Sequence, residues 1–208
     1  MMTELDSFDS FYISTYGVIC GLDEAGRGPL AGDVYAGAVI IPEGISFEAL
    51  NDSKKLSEKK RELLYAEITE KCIWGLGTAT VREIEEINIL NAAMLAMKRA
   101  YEDMVKKGGS PVHALVDGNR LPLLPITAET IVKGDGKSAC VAAASIIAKV
   151  SRDRYMAELA EKYPEWQFEK HKGYGTKLHY EMIDKYGESP VHRHSFLKKY
   201  YEKIAHGQ

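Results

Sequence analysis

Short apolar runs and stretches of helical periodicity follow one another along this chain in an order that already narrows the fold. Residues 17–23, Val34 to Pro42 and Trp74 to Val81 are brief, rich in apolar or β-branched side chains and bounded by Gly, Pro or charge, which is the pattern of strands. No helical pattern separates the first two, so the sheet is expected to begin antiparallel. Between the second and third, Ser57 is placed to cap a helix starting at Glu58, with Leu63, Leu64 and Ile68 on its apolar face. From Ile89 to Lys107, the positions Ile89, Leu90, Ala93, Met94, Met97, Ala100, Tyr101 and Met104 recur at helical spacing, and Gly108-Gly109 closes this amphipathic helix. The three Met residues on that stripe read as core.

His113 to Asp117 and Ile126 to Lys133 read as two more strands around a loop rich in Pro and Leu. Ser138 to about Lys162 is a long helix whose first half, Ala139 to Ala148, is small and apolar on nearly every side, suited to lying close against a sheet; its second half is amphipathic. Lys177 to Tyr186 and Ser195 to Ala205 predict two short terminal helices. The order predicts an α/β fold, a mixed sheet covered by helices on both faces. We expect a flexible N-terminal segment over 1–16, a main domain over 17–188, and a helical appendage over 189–208 that packs on it.

Composition changes little in this picture but excludes several classes. With 208 residues, 45% of them apolar and 27% charged, the chain can bury a substantial core. No window approaches the roughly 18 consecutive apolar residues of a membrane span. The acidic start lacks the basic and apolar regions of a secretion signal, so a cytoplasmic location is expected. Cys20, Cys72 and Cys140 form no CxxC pair and sit in apolar stretches, as buried thiols would. The net charge of -3 argues against a protein that grips nucleic acid by bulk positive charge. Charge is nonetheless uneven: residues 1–33 carry six acids and one Arg, whereas 165–208 carry eight Lys/Arg and six acids. An acidic focus with basic stretches elsewhere suits a metal site beside a phosphate track, and also fits a solvated mixed surface.

The candidate chemistry lies in the acids at strand ends. Asp23 and Glu24 follow an apolar run and precede the Gly-rich Ala25-Gly26-Arg27-Gly28-Pro29; Asp117 closes another apolar run before Gly118; Asp135 sits between Gly134 and Gly136 after a third. Side chains alternate faces along a strand, so Asp23 and Glu24 can serve one site if the strand ends there. Carboxylates delivered from three strand ends meet the needs of Mg²⁺, which prefers oxygen ligands and keeps positions for water and phosphate. Asp153 beside Arg152 reads more simply as half of an ion pair within an exposed helix face, and His192-x-His194, lacking an acidic or Cys partner nearby, as structural or surface. Two rival readings exist. Lys133-Gly134-Asp135-Gly136-Lys137-Ser138 resembles part of a phosphate-binding loop of a nucleotide hydrolase, but Ile131 stands where that pattern needs Gly. A non-catalytic nucleic-acid binding module is opposed by four acids where phosphates would lie.

The chain closely resembles the type 2 ribonuclease H family, the bacterial RNase HII enzymes, from Val18 to about Phe196. The resemblance rests on Asp23-Glu24-Ala25-Gly26-Arg27-Gly28-Pro29, Asp52-Ser53-Lys54-Lys55-Leu56, Val116-Asp117-Gly118, the segment 143–150 with Arg152-Asp153, Gly173-Tyr174-Gly175-Thr176, and His192-Arg193 with Ser195-Phe196. It implies an RNase H-like mixed five-stranded sheet flanked by helices, and an endonuclease that hydrolyses the RNA strand of RNA·DNA hybrids and nicks on the 5′ side of single ribonucleotides embedded in duplex DNA, leaving 3′-hydroxyl and 5′-phosphate ends. It further implies two Mg²⁺ or Mn²⁺ ions held by Asp23, Glu24, Asp117 and Asp135, readout of the ribose 2′-hydroxyl by Gly26, Arg27, Gly28 and Tyr174, and phosphate contacts from Ser53, Lys54, Lys55, Ser145 and Lys149; Lys172 is a further phosphate candidate by its own charge. Arg27, where the type 3 relatives usually carry Lys, favours type 2. The expected partners are hybrid and ribonucleotide-containing duplexes, with no membrane and no protein partner implied; a monomer is expected.

Overall fold

The computed structural model describes residues 3–50 and 56–206. In chain order the elements are α1 (Glu4–Tyr16), β1 (Ile19–Ala25), β2 (Val34–Ile40), α2 (Glu58–Lys71), β3 (Ile73–Ala79), α3 (Val81–Lys106), β4 (His113–Asp117), β5 (Thr127–Ile131), α4 (Ala139–Lys162), α5 (Phe168–His171), α6 (Lys177–Tyr186) and α7 (His194–Ala205). The strands form one five-stranded sheet in the order β3-β2-β1-β4-β5. β1, β2 and β3 pair antiparallel, as the short first connection requires, while β1-β4 and β4-β5 are parallel.

Helices cover both faces. On one, Ala92, Ala93, Ala96, Met97, Ala100 and Met104 of α3 pack on Cys20, Leu22, Ala36, Ala38, Ala114 and Val116. On the other, the small residues of α4 meet Val39, with Leu64 and Ile68 of α2 completing that layer. The approach is close because the sheet offers glycine where the helices cross. A Cβ built on Gly21 would stand 2.2 Å from the Cys140 backbone, and one on Gly37 would stand 2.3 Å from the Ala144 carbonyl oxygen. Backbone-to-backbone packing of this kind leaves no room for adjustment.

Several local expectations change. Residues 4–16, expected to be flexible, form α1, started by a capping box in which Thr3 and Asp6 satisfy each other's amides. Its Tyr16 ring stacks on His113, with centroids 3.9 Å apart. Leu63, expected on the buried face of α2, is 59% exposed, because α4 covers a stripe centred on Leu64 and Ile68. Cys72 and Met94 are half-buried rather than core. α3 begins eight residues earlier than its periodicity predicts, at Val81, with a break at Asn88. Asn88 takes φ +66°, and its side-chain oxygen accepts the amides of Leu90 and Asn91 at 3.0 and 3.2 Å, restarting the helix where the apolar stripe begins. Among the described residues, no helix is long and apolar enough to cross a membrane.

The tight α4 crossing makes a measurable prediction. Gly37→Ala should lower unfolding stability by about 2 kcal/mol or more, read as a shift of the urea midpoint at unchanged slope.

Candidate active site

Asp23 and Glu24 stand where β1 outruns its parallel neighbour. The pairing with β4 stops at Leu22 opposite Val116, whereas the pairing with β2 continues through Glu24 and Ala25. The expectation that the strand ends at the acids is thus corrected, since only one of its edges ends there. Alternation turns Asp23 toward α4, where Ser145 donates a hydrogen bond to its carboxylate. Glu24 turns toward α3 and lines a small cleft with Arg27, Met94, Asp117 and Arg120. Asp117 closes β4, and the next residue, Gly118, takes φ +98° to carry the chain away. Asp135 is buried in a single helical turn, Gly134–Gly136, that leads toward α4. That turn is tied to Asp117, whose Oδ1 accepts the Gly134 amide at 2.6 Å.

The acids disturb one another. Burial, then the charges of Glu24 and Asp117, push the Asp23 carboxyl well above the usual carboxylate range, against the opposing hydrogen bonds from Ser145 and the Glu24 amide. Burial also raises Glu24, although Arg27 offsets part of the effect through an ion pair at 3.0 Å. Arg27 can neutralise at most one of three clustered charges. A desolvated, like-charged, all-oxygen donor set fits a hard divalent cation. Each of these three carboxylates is turned onto a protein donor, namely Asp23 onto the Glu24 amide at 2.7 Å, Glu24 onto Arg27 and Asp117 onto Gly134. In these rotamers no three His, Cys, Asp or Glu side chains among the described residues are arranged to hold a metal ion.

Two buried arginines hold the adjoining loops. Arg193, fully buried, donates to the carbonyl oxygens of Gly26, Arg27, Pro29 and Gly32 at 2.7–3.1 Å. Arg152 donates to those of Ala31, Asp33 and Lys172 at 3.1–3.2 Å. Burial, then Arg152, lowers the Arg193 guanidinium to about 9, still charged at neutral pH. Gly26, at φ +98°, leaves space for Arg152: a Cβ there would lie 2.1 Å from its Nε. Main-chain bonds from Leu30 to Gly173 at 2.8 Å and from Arg193 to Leu30 at 2.7 Å complete the assembly. It brings the half-exposed Tyr174 ring beside Gly28, 3.9 Å from where a Cβ would stand. Gly26, Arg27, Gly28 and Tyr174, distant in sequence, are therefore neighbours.

Other expected residues divide. Ser145, expected against phosphate, faces Asp23. Lys149 pairs with Asp153 at 2.6 Å. Asp153 is buried and also faces Arg61 at 4.0 Å, so the reading of an exposed Arg152–Asp153 pair is corrected: burial turns Arg152 to the carbonyls instead. Lys172 sits at φ +51° with its carbonyl held by Arg152. Ser53, Lys54 and Lys55 lie outside the described residues. The phosphate-loop reading meets an obstacle at the start of α4, where Ser138 caps the Val141 amide and the Asp9 carboxylate of α1 accepts the Cys140 amide at 2.8 Å. The Asp9 side chain already occupies the position a nucleotide phosphate would take.

The sequence reading gives Arg152 only an ion pair with Asp153 and Arg193 only a place in a family motif, because arginine is usually exposed and its carbonyl partners are nowhere marked in sequence. Their importance is measurable. Arg193→Met should cost about 3 kcal/mol or more in urea unfolding, since it strands several buried carbonyls, and Arg193→Lys should recover only part because an ammonium has three donors and no fork.

With this geometry described, comparison with known proteins is specific. The sequence profile described as Ribonuclease HII matches residues 20–199. A ribonuclease HII of Polynucleobacter necessarius is 51% identical over 90% of this chain and 97% of its own length, and one of a Marinomonas species is 54% identical over 86% and 89%. The crystal structure of the ribonuclease H2 from Pyrococcus horikoshii superposes with a TM-score of 0.69, at 28% identity, covering 90% of this chain and 99% of that one. The five-stranded mixed sheet, the acids at the ends of its inner strands β1 and β4 and these matches along most of the length agree, and the chain belongs to the ribonuclease HII family of enzymes.

Proposed function

We propose that this enzyme hydrolyses the RNA strand of RNA·DNA hybrids and nicks duplex DNA on the 5′ side of an embedded ribonucleotide, leaving 3′-hydroxyl and 5′-phosphate ends, with Asp23, Glu24, Asp117 and Asp135 holding two Mg²⁺ or Mn²⁺ ions. The observation that carries the reading is the convergence of buried, mutually repelling acids beside a loop assembly that displays glycine backbone and an aromatic ring. Without cations such a cluster repels a polyanion. Divalent ions bound there would lower the pKa of the attacking water and neutralise charge building on the phosphate.

The chain's own residues do the rest. Ser145 and the Glu24 amide orient Asp23, and the Gly134 amide orients Asp117. The open backbone at Gly26-Arg27-Gly28 approaches the ribose, whose 2′-hydroxyl distinguishes RNA from DNA, while the Tyr174 ring packs on the next sugar and demands that it be deoxyribose. Lys149 and Lys172 contact phosphates, with Lys149 shared between phosphate and Asp153. Ser53, Lys54 and Lys55 add further phosphate contacts. The protein works as a monomer in the cytoplasm.

A DNA duplex carrying one ribonucleotide tests this. With Mg²⁺ or Mn²⁺ the purified protein should make a single nick 5′ of the ribose, abolished by chelator; no metal-dependent nick would remove the assignment. Asp117→Asn should slow cleavage by about 100-fold or more, and near-normal cleavage would displace Asp117 from the site. Tyr174→Ala should lose more activity on the single-ribonucleotide duplex than on an all-RNA hybrid strand, whereas equal losses would count against ribose reading.

A further inference from the structure

Behind the Tyr174 loop lies a buried stack of three imidazoles from three parts of the chain: His171 of α5, His179 of α6, and His192 between α6 and α7. The His171 and His179 rings are 4.1 Å apart at 19°, and those of His179 and His192 are 5.1 Å apart. Phe168 packs against all three at 5.7–5.8 Å.

Main-chain partners decide where each proton sits. The Ser189 amide donates to His192 Nδ1 at 2.8 Å, so that nitrogen is bare and the proton of a neutral ring lies on Nε2. His192 Nε2 is 3.0 Å from His179 Nε2. Two N–H groups cannot face each other, so His179 Nε2 accepts and its own proton lies on Nδ1, donated to the Tyr174 carbonyl oxygen at 3.0 Å. The Gly173 amide donates to His171 Nδ1 at 3.2 Å, which leaves His171 Nε2–H to the Trp166 carbonyl oxygen at 2.8 Å. Every ring nitrogen has a partner, and the Ser189 hydroxyl, 2.7 Å from His192 Nδ1, donates to that nitrogen as well. An extra proton on any ring would set its N–H against the N–H of Gly173, of His192 or of Ser189.

The surroundings favour the neutral state. Burial, then His171, pushes His179 down to about 3, and burial pushes His192 down to about 4. Burial lowers His171 as well. The groups that oppose this are Glu188, on the segment carrying His192, and Glu169 of α5, beside His171. Phe168 is the apolar wall.

We propose that His192 and His179 are positioning residues, a neutral proton-ordered relay from the Ser189 amide to the Tyr174 carbonyl that holds the ribose-reading loop in place and releases it on acidification. The inference rests on the ribose-reading role given to Tyr174 above. Leu30 ties the loop to the Gly26–Asp33 side through the Gly173 carbonyl, and the relay ties it from behind. Neither histidine needs to touch substrate.

Nitrogen-15 NMR of the wild-type imidazoles tests the relay whatever Tyr174 reads. The expected result is an Nδ1–H tautomer for His179, Nε2–H tautomers for His171 and His192, and all three neutral down to about pH 5. A charged ring among them at pH 6, or the opposite tautomer at His179, overturns the proposal.

Activity tests the positioning. His179→Phe keeps a ring but deletes both bonds, and it should raise KM for the single-ribonucleotide duplex about tenfold, with a smaller change in kcat and on the all-RNA hybrid. His179→Asn, which restores a donor toward the Tyr174 carbonyl, should recover part of the loss. Equal effects on both substrates in folded His179→Phe, or no recovery with Asn, would overturn the positioning role. Because folded-state values lie below the ordinary 6.5, the stability these rings contribute is complete above that pH and is lost as pH falls toward about 4 and 3. The wild-type melting temperature should therefore fall through that window, and less steeply in His179→Phe; equal slopes would argue against the relay.

Discussion

The arrangement of the site depends on two guanidinium groups buried among carbonyl oxygens. Burying a charge without a carboxylate in contact is costly unless its hydrogen bonds are met. Arg193 and Arg152 meet theirs with main-chain carbonyls of residues 26–33 and of Lys172. The requirement runs both ways: the arginines need the loop wrapped around them, and a loop with inward-turned carbonyls needs the arginines. Residues 26–33, the Gly173-Tyr174-Gly175 loop and the strand-like contact between Ala31 and His192 therefore form one unit.

A second constraint sets the acids. Glycine in β1 and β2 lets α4 lie almost on the sheet backbone, and that brings Ser145 to Asp23. The interior on this side is rigid for the same reason. Rigidity matters because the fold gathers like charges that oppose one another, with Asp23 and Asp117 held by backbone amides and Glu24 by Arg27.

The fold was largely legible in the sequence. Short strands, the Ala-rich α4 and the stripe of α3 announce a mixed, two-sided sheet, because periodicity reports directly on which face is buried. α1 carries no clear apolar period although Thr3 and Asp6 mark its start, and the apolar stripe of α3 begins only after Asn88, which hides the turns before it. Leu63 shows a related limit, since a helix with several apolar positions does not say which stripe its neighbour will cover.

By itself the sequence determined the five strands, most of the helices, the family, and the candidate acids Asp23, Glu24, Asp117 and Asp135, which are written locally as acids at or just after a strand beside glycine. Tertiary structure alone decided that Asp153 is buried and paired with Lys149, that Ser145 turns to Asp23, that Asp9 fills the start of α4, and that Arg152, Arg193 and the histidine stack support the Tyr174 loop. The physical reason is one of partners. A strand end carries its signal in its own residues, whereas an arginine or histidine acquires its role from carbonyls and amides up to 167 positions away, and main-chain groups look alike at every residue until the fold brings them together.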